Sequence, residues 1–179
     1  MEFTKDQQGG ERLVDSDMNG VMMGWEDPLM ILHADLITKD RTPGLHVLNV
    51  GFGLGLIDTY LQNSHPSSHT IIEAHPDVYK KMINDGWDKK ATILFGRWQD
   101  VKDQLQVYDA IFFDTFGEYM DDLKEFHELL PNILREDGIY SFFNGLAATD
   151  MFLHDVACRI CELDLCDIGF QVEWTKIEM

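Results

Sequence analysis

The stretch His46–Ile57, HVLNVGFGLGLI, decides the fold. Five residues, 46–50, form a short run that is apolar except at His46 and Asn49, and three glycines follow at 51, 53 and 55. A helical spacing of apolar residues then runs through Leu61. Strand, glycine turn and helix in that order bring backbone close to a ligand, because glycine accepts positive φ and leaves room for a neighbouring chain. A strict dinucleotide fingerprint would place a further glycine at 56, where Leu56 stands, so pyrophosphate binding is disfavoured.

The same rhythm repeats downstream. HTIIE (69–73) reads as a second strand, with a helix opening near Pro76. TILFG (92–96) is a third, before a short helix over 100–105. YDAIFFD (108–114) is the strongest, since a strand buried on both faces reads as a continuous apolar run. A helix is expected over 121–134, a fifth strand at GIYSFFN (138–144), a helix over 148–163 and a sixth strand at FQVEWTKI (170–177). Upstream, 21–38 reads as a helix opened by Asp27 and Pro28, and 1–20 as a loose polar lead-in, leaving 21–179 as the working domain. Short strands alternating with helices predict an α/β, Rossmann-like, mostly parallel sheet. Ligands in such sheets sit beyond the carboxyl ends of the strands, so 51–57, 73–75, 96–99 and 114–117 are the positions to search.

Composition removes other classes. The 179 residues suit one domain, and 14 Lys+Arg against 32 Asp+Glu give a net charge of −18. Phosphate backbones and anionic lipids need basic protein surfaces, so neither nucleic acid nor membrane is an expected partner. A cationic ligand or basic protein suits the field better. No signal-like apolar stretch opens the chain, and three cysteines point to a reducing compartment.

Four side chains at the strand ends carry chemistry. Glu73 ends the second strand 22 residues after Gly51, where a carboxylate can accept both hydroxyls of a ribose. Trp98 and Gln99 can pack on and hydrogen-bond an adenine. Asp114 ends the central strand, and a buried acid there needs a partner, either a cationic substrate or a neighbouring base or amide. His154, Cys158 and Cys161 share a helix face near Cys166, a pattern that core packing explains without a metal. His65 and His69 flank Pro66-Ser67-Ser68 and read as surface loop, and the acids from Glu118 to Glu128 as a solvated face. Phe112, Phe113, Phe142 and Phe143 read as core.

VMMGWEDPLM, VLNVGFGLGLID, IIEAHPDVYKKM, GRWQD, IFFDTFGEYMDDLKEFHELLPNIL and YSFFNGL together resemble the S-adenosylmethionine-dependent guanidino-group methyltransferases. That group holds guanidinoacetate N-methyltransferases and the fungal type IV protein arginine methyltransferases, which modify the delta nitrogen of arginine. The likeness covers about residues 19–178, and Asn49, EAHP (73–76) and SFFNGL (141–146) are more similar to the type IV branch.

The resemblance implies a class I methyltransferase using S-adenosyl-L-methionine. Met22 and Met30 would flank the cofactor, and Gly51, Phe52, Gly53, Leu54, Gly55, Leu56 and Ile57 would form the turn around its amino-acid part. Glu73, Ala74 and His75 would take the ribose, Trp98 and Gln99 the adenine, and Asp114 both cofactor and substrate. Glu26 would be the second carboxylate on the guanidinium, and either Glu26 or Asp114 would accept the proton. The implied partner is a basic protein such as a ribosomal protein, the chain a monomer of cytoplasm and nucleus. A guanidinoacetate-type enzyme, or an incomplete domain without activity, are the other readings. Two departures from the pattern are expected: a sheet without the last antiparallel strand, and no upstream ankyrin-like region or covering aromatic recognisable in 1–20.

Overall fold

The computed structural model describes residues 1–175 apart from 7, 8, 40, 42, 117–119, 146 and 148. The lead-in expected over 1–20 is ordered sheet. β1 (Glu2–Lys5), β2 (Glu11–Val14) and β3 (Gly20–Met23) pair antiparallel in that order. Asp6 and Gly10 close the first hairpin through Asp6 N–H to Gly10 O at 2.8 Å, with Gly9 at φ +88°. Leu13 and Val14 point into the core.

The helix expected over 21–38 therefore starts late. Met22 and Met23 are held in register with Leu13 and Arg12. Gly24 passes so near Glu11 that a Cβ would lie 2.9 Å from its carbonyl oxygen. A 3-10 turn, Gly24–Glu26, then leads into α1 (Asp27–Thr38). Asp27 does not cap that helix; its carboxylate accepts the Tyr60 hydroxyl at 2.6 Å.

The main sheet contains β4 (His46–Val50), β5 (Ser68–Glu73), β6 (Thr92–Phe95), β7 (Tyr108–Phe113) and β8 (Leu134–Phe142), all parallel, in the order β6-β5-β4-β7-β8. Between them run α2 (Leu56–Asn63), α3 (Pro76–Asn84) and α4 (Trp98–Val101), the last continued by a 3-10 turn through Gln104. Leu48, Ile71 and Ile111, on three neighbouring strands, are fully buried. Each such side chain contributes about 1.5–3 kcal/mol relative to exposure. The pairing of β8 skips from Leu134 to Ile139 opposite Tyr108 and Ala110. Asp109 spans the break, accepting the His46 N–H at 2.7 Å and pairing with Arg135 at 3.1 Å.

Chain order and sheet order reverse between β4 and β7, which makes the ends of those two strands the natural ligand crevice.

A polar cluster is buried under α2. Asp58 and His69, both without solvent exposure, meet at 3.0 Å, and Asn49 Nδ2 donates to Asp58 at 2.7 Å. Gln62 approaches the other His69 ring nitrogen at 2.8 Å. His69 is thus a strand residue of the core, not the surface loop its Pro-Ser-Ser neighbour suggested. Breaking a buried pair leaves an uncompensated charge, so His69→Ala should cost about 3–5 kcal/mol in denaturant unfolding. A loss below about 1 kcal/mol, the scale of a surface pair, would refute that account.

Contacts divide the chain into one unit of Met1–Phe116 with Leu134–Phe142 and another of Gly117–Ile133 with Phe143–Met179. In the second unit the helix expected over 121–134 is two helices, α5 (Met120–His127) and α6 (Leu130–Ile133), and Leu134 already belongs to β8. Pro131 lacks the N–H that an unbroken helix would use there. α7 (Met151–Asp167) is capped by Asp150, which accepts the Phe152 and Leu153 N–H groups. Residues 170–175 of the expected sixth strand form no strand, and 176 and 177 lie outside the described residues, as do Glu118 and Leu146. No antiparallel strand joins the main sheet among the described residues. Phe112 and Phe113 are core as expected, whereas Phe143 lies beyond β8 and is exposed. Among the described residues no three His, Cys, Asp or Glu side chains group as a metal site, and no helix is long and apolar enough to cross a membrane.

Candidate active site

The glycine turn after β4 is shaped by what glycine omits. At Gly51, φ is +97°, and a Cβ would sit 2.0 Å from the Asp114 carbonyl oxygen. At Gly53 a Cβ would strike the Met22 sulfur at 2.6 Å, and at Gly55, which opens α2, the Phe52 ring at 2.4 Å. Phe52 itself is buried edge-on to Trp87, and Ile57 is buried on α2, with Leu56 half-buried. Met22 closes over the turn, its sulfur accepting the Leu54 N–H at 3.1 Å.

Glu73 reaches the same turn from the end of β5. Its two carboxylate oxygens accept the Phe52 N–H at 3.1 Å and the His75 N–H at 2.6 Å. Each oxygen retains a further lone pair, so an oriented acceptor remains for a pair of hydroxyls. Burial raises its pKa, and those backbone donors oppose the rise. His75 caps α3 by accepting the Asp77 N–H, and Ala74 beside it is exposed.

Trp98, almost fully buried at the start of α4, packs edge-on to Phe113, the residue before Asp114, and Gln99 follows it half-buried.

Asp114 is set by its backbone N–H to Val50 O at 3.0 Å. Desolvation, then the nearby Glu26 carboxylate, push its pKa up to about 7. Glu26 is raised by its own burial, while one of its oxygens accepts the Met23 N–H at 2.7 Å. The two acids expected to grip one cation thus lie within each other's field, although 88 residues separate them.

The residues gather into three contacts: Met22 on Gly53 and Leu54, Glu73 on Phe52 and His75, and Asp114 on Gly51 with Glu26 nearby. Met30 is fully buried on α1, and no hydrogen bond ties it or Ala74 to the turn among the described residues. Asp58, and the buried cluster it forms with Asn49 and His69, escaped sequence reasoning, although a lone amide inside an apolar strand signals a buried partner. The aromatic not recognisable in 1–20 has a candidate in Phe3, which lines a cleft with Leu54.

A glycine cradle that side chains would fill and a buried carboxylate with spare lone pairs fit a nucleoside bearing an amino-acid tail. Fibrillarin from Aeropyrum pernix, solved with natively bound S-adenosyl-L-methionine, superposes with a TM-score of 0.63 at 11% identity, over 97% of this chain and 90% of its own. The architecture is the class I S-adenosylmethionine-dependent methyltransferase fold.

Among curated relatives, "Protein arginine N-methyltransferase 2" of Aspergillus oryzae is 44% identical over 94% of this chain and 42% of its own length. The protein of the same name from Cryptococcus neoformans var. neoformans is 43% identical over 96% of this chain and 55% of its own. The chain therefore spans about half or less of the length of these relatives. The family model described as guanidinoacetate N-methyltransferase matches residues 12–153, and the chain belongs to that family.

Proposed function

We propose that this chain transfers a methyl group from S-adenosyl-L-methionine to a guanidino nitrogen, the delta nitrogen of an arginine in a basic protein such as a ribosomal protein. The observation that carries it is the placing of Glu26 and Asp114 within each other's field beside the glycine turn, two carboxylates that no Lys or Arg side chain pairs with among the described residues. A guanidinium is planar with forked donors and suits two such acids. The names of the fungal relatives support the protein substrate.

When bound, the cofactor supplies a methyl group on a cationic sulfur. Glu73 would hold its ribose, Trp98 and Gln99 its adenine, and the turn from Gly51 to Ile57 with Met22 and Met30 its remainder. Glu26 and Asp114 fix the plane of the guanidinium, and that orientation can account for about 7–11 kcal/mol of barrier lowering in well-placed systems. The attacking nitrogen must lose a proton, because a protonated guanidinium is a poor nucleophile. Asp114 accepts it: a carboxyl with its pKa near 7 is a better base than Glu26, whose oxygen is engaged at Met23.

The family match keeps guanidinoacetate as a second substrate. Offering guanidinoacetate and a basic ribosomal protein together with methyl-labelled cofactor separates the two. Label is expected in the protein, on arginine. Label in guanidinoacetate alone would replace this reading with the small-molecule one, and no transfer by a folded sample would favour a domain without activity of its own.

A further inference from the structure

A cleft of about 170 Å³ opens beside the glycine turn, lined in part by Phe3, Lys5, Glu11, Arg12, Leu54 and Lys81. Three of the chain's 14 basic residues meet there, against one carboxylate, in a protein of net charge −18. Lys5 stands opposite Glu11 in the β1–β2 register. Lys81 pairs with Asp85 and lies 5.4 Å from the centre of the Phe3 ring. Arg12 is different. Its Nε donates to Thr4 Oγ1 at 2.8 Å, which orients the guanidinium, and no carboxylate pairs with it among the described residues.

The order of the sheet says what such a cation would meet. Trp98 follows β6, Glu73 ends β5 and the turn containing Leu54 follows β4, so the three stand side by side along one edge. A nucleoside with its base at Trp98 and its ribose at Glu73 carries its 5′ substituent toward Leu54. Among the described residues the Leu54 N–H there meets only the Met22 thioether, a weak acceptor.

We propose that the cleft is an anion site for the α-carboxylate of the cofactor's amino-acid half, with Arg12 its principal partner and Lys5 and Lys81 adding to the field. This rests on the methyltransferase reading and assigns residues to that ligand from the N-terminal sheet. A guanidinium and a carboxylate form a charge-assisted, two-point contact that lysine reproduces only in part.

Two ligands separate this site from the nucleoside pocket: S-adenosylhomocysteine, which bears the carboxylate, and 5′-deoxy-5′-methylthioadenosine, which does not. In titration calorimetry Arg12→Met should weaken S-adenosylhomocysteine about tenfold or more, and methylthioadenosine less than about twofold. Arg12→Lys should recover part of the loss, and Lys81→Met should show a smaller loss with the same selectivity. Thermal melts establish that each variant is folded. Equal losses for both ligands, or no loss for S-adenosylhomocysteine, would overturn the carboxylate site while leaving the nucleoside pocket intact. Failure of both ligands to bind the folded unsubstituted chain would overturn the cofactor reading and this site with it.

Discussion

Glu73→Ala lowers the affinity for S-adenosylhomocysteine by about 100-fold in titration calorimetry, while the variant remains folded. The carboxylate would accept two hydroxyl hydrogens, and a hydrogen bond to a charged group contributes roughly 1.5–3 kcal/mol. It also orders the turn, because the Phe52 and His75 N–H groups converge on it. Glu73→Gln is the more discriminating variant. One amide oxygen can still accept, so binding should weaken by about tenfold, near the lower end of that range. If Glu73→Ala binds within about threefold of the unsubstituted chain, the ribose assignment is wrong.

Asp114→Asn and Glu26→Gln leave that binding far less affected but reduce turnover by about 10²–10⁴-fold, the usual range for losing a positioned acid or base. The pH dependence distinguishes the two. Asp114 has its folded pKa near 7, above its ordinary 3.8, so between those values the folded chain holds the proton more firmly than the unfolded one. Its contribution to stability is therefore complete below 3.8 and lost as pH rises through about 7. Binding of a guanidinium runs the other way, because only the ionised acid attracts a cation. kcat/KM should rise through a limb near pH 7 in the unsubstituted chain, and Asp114→Asn should remove it. Normal methylation by both variants would dispose of the clamp.

The parallel sheet was legible because its signals are local. HVLNV and YDAIFFD are apolar runs of strand length, and the glycines that follow the first can serve few other purposes. Glu73 and Asp114 were legible for the same reason, as acids ending apolar strands. The N-terminal sheet was harder: EFTK and ERLV are short and polar, and their stability comes from pairing with each other and with β3. Gly9-Gly10 between them was the available hairpin signal. FQVEWT misled in the opposite direction. Its residue types suit a pleated surface, but that preference expresses packing against a neighbouring strand, and none pairs with it among the described residues. His69 was misread because its partner, Asp58, comes from a helix eleven residues earlier, and no window around a Pro-Ser-Ser turn contains that fact.

The close approach of Gly51 to Asp114 has a thermodynamic consequence. The backbone of the turn after β4 rests against the carbonyl of the very residue that would meet the substrate, so neither can shift alone. Whatever fixes the turn narrows the positions open to the acid, and a cation on the acid narrows those of the turn by the same free energy. The two ligands should consequently raise each other's affinity by an equal factor, whichever arrives first.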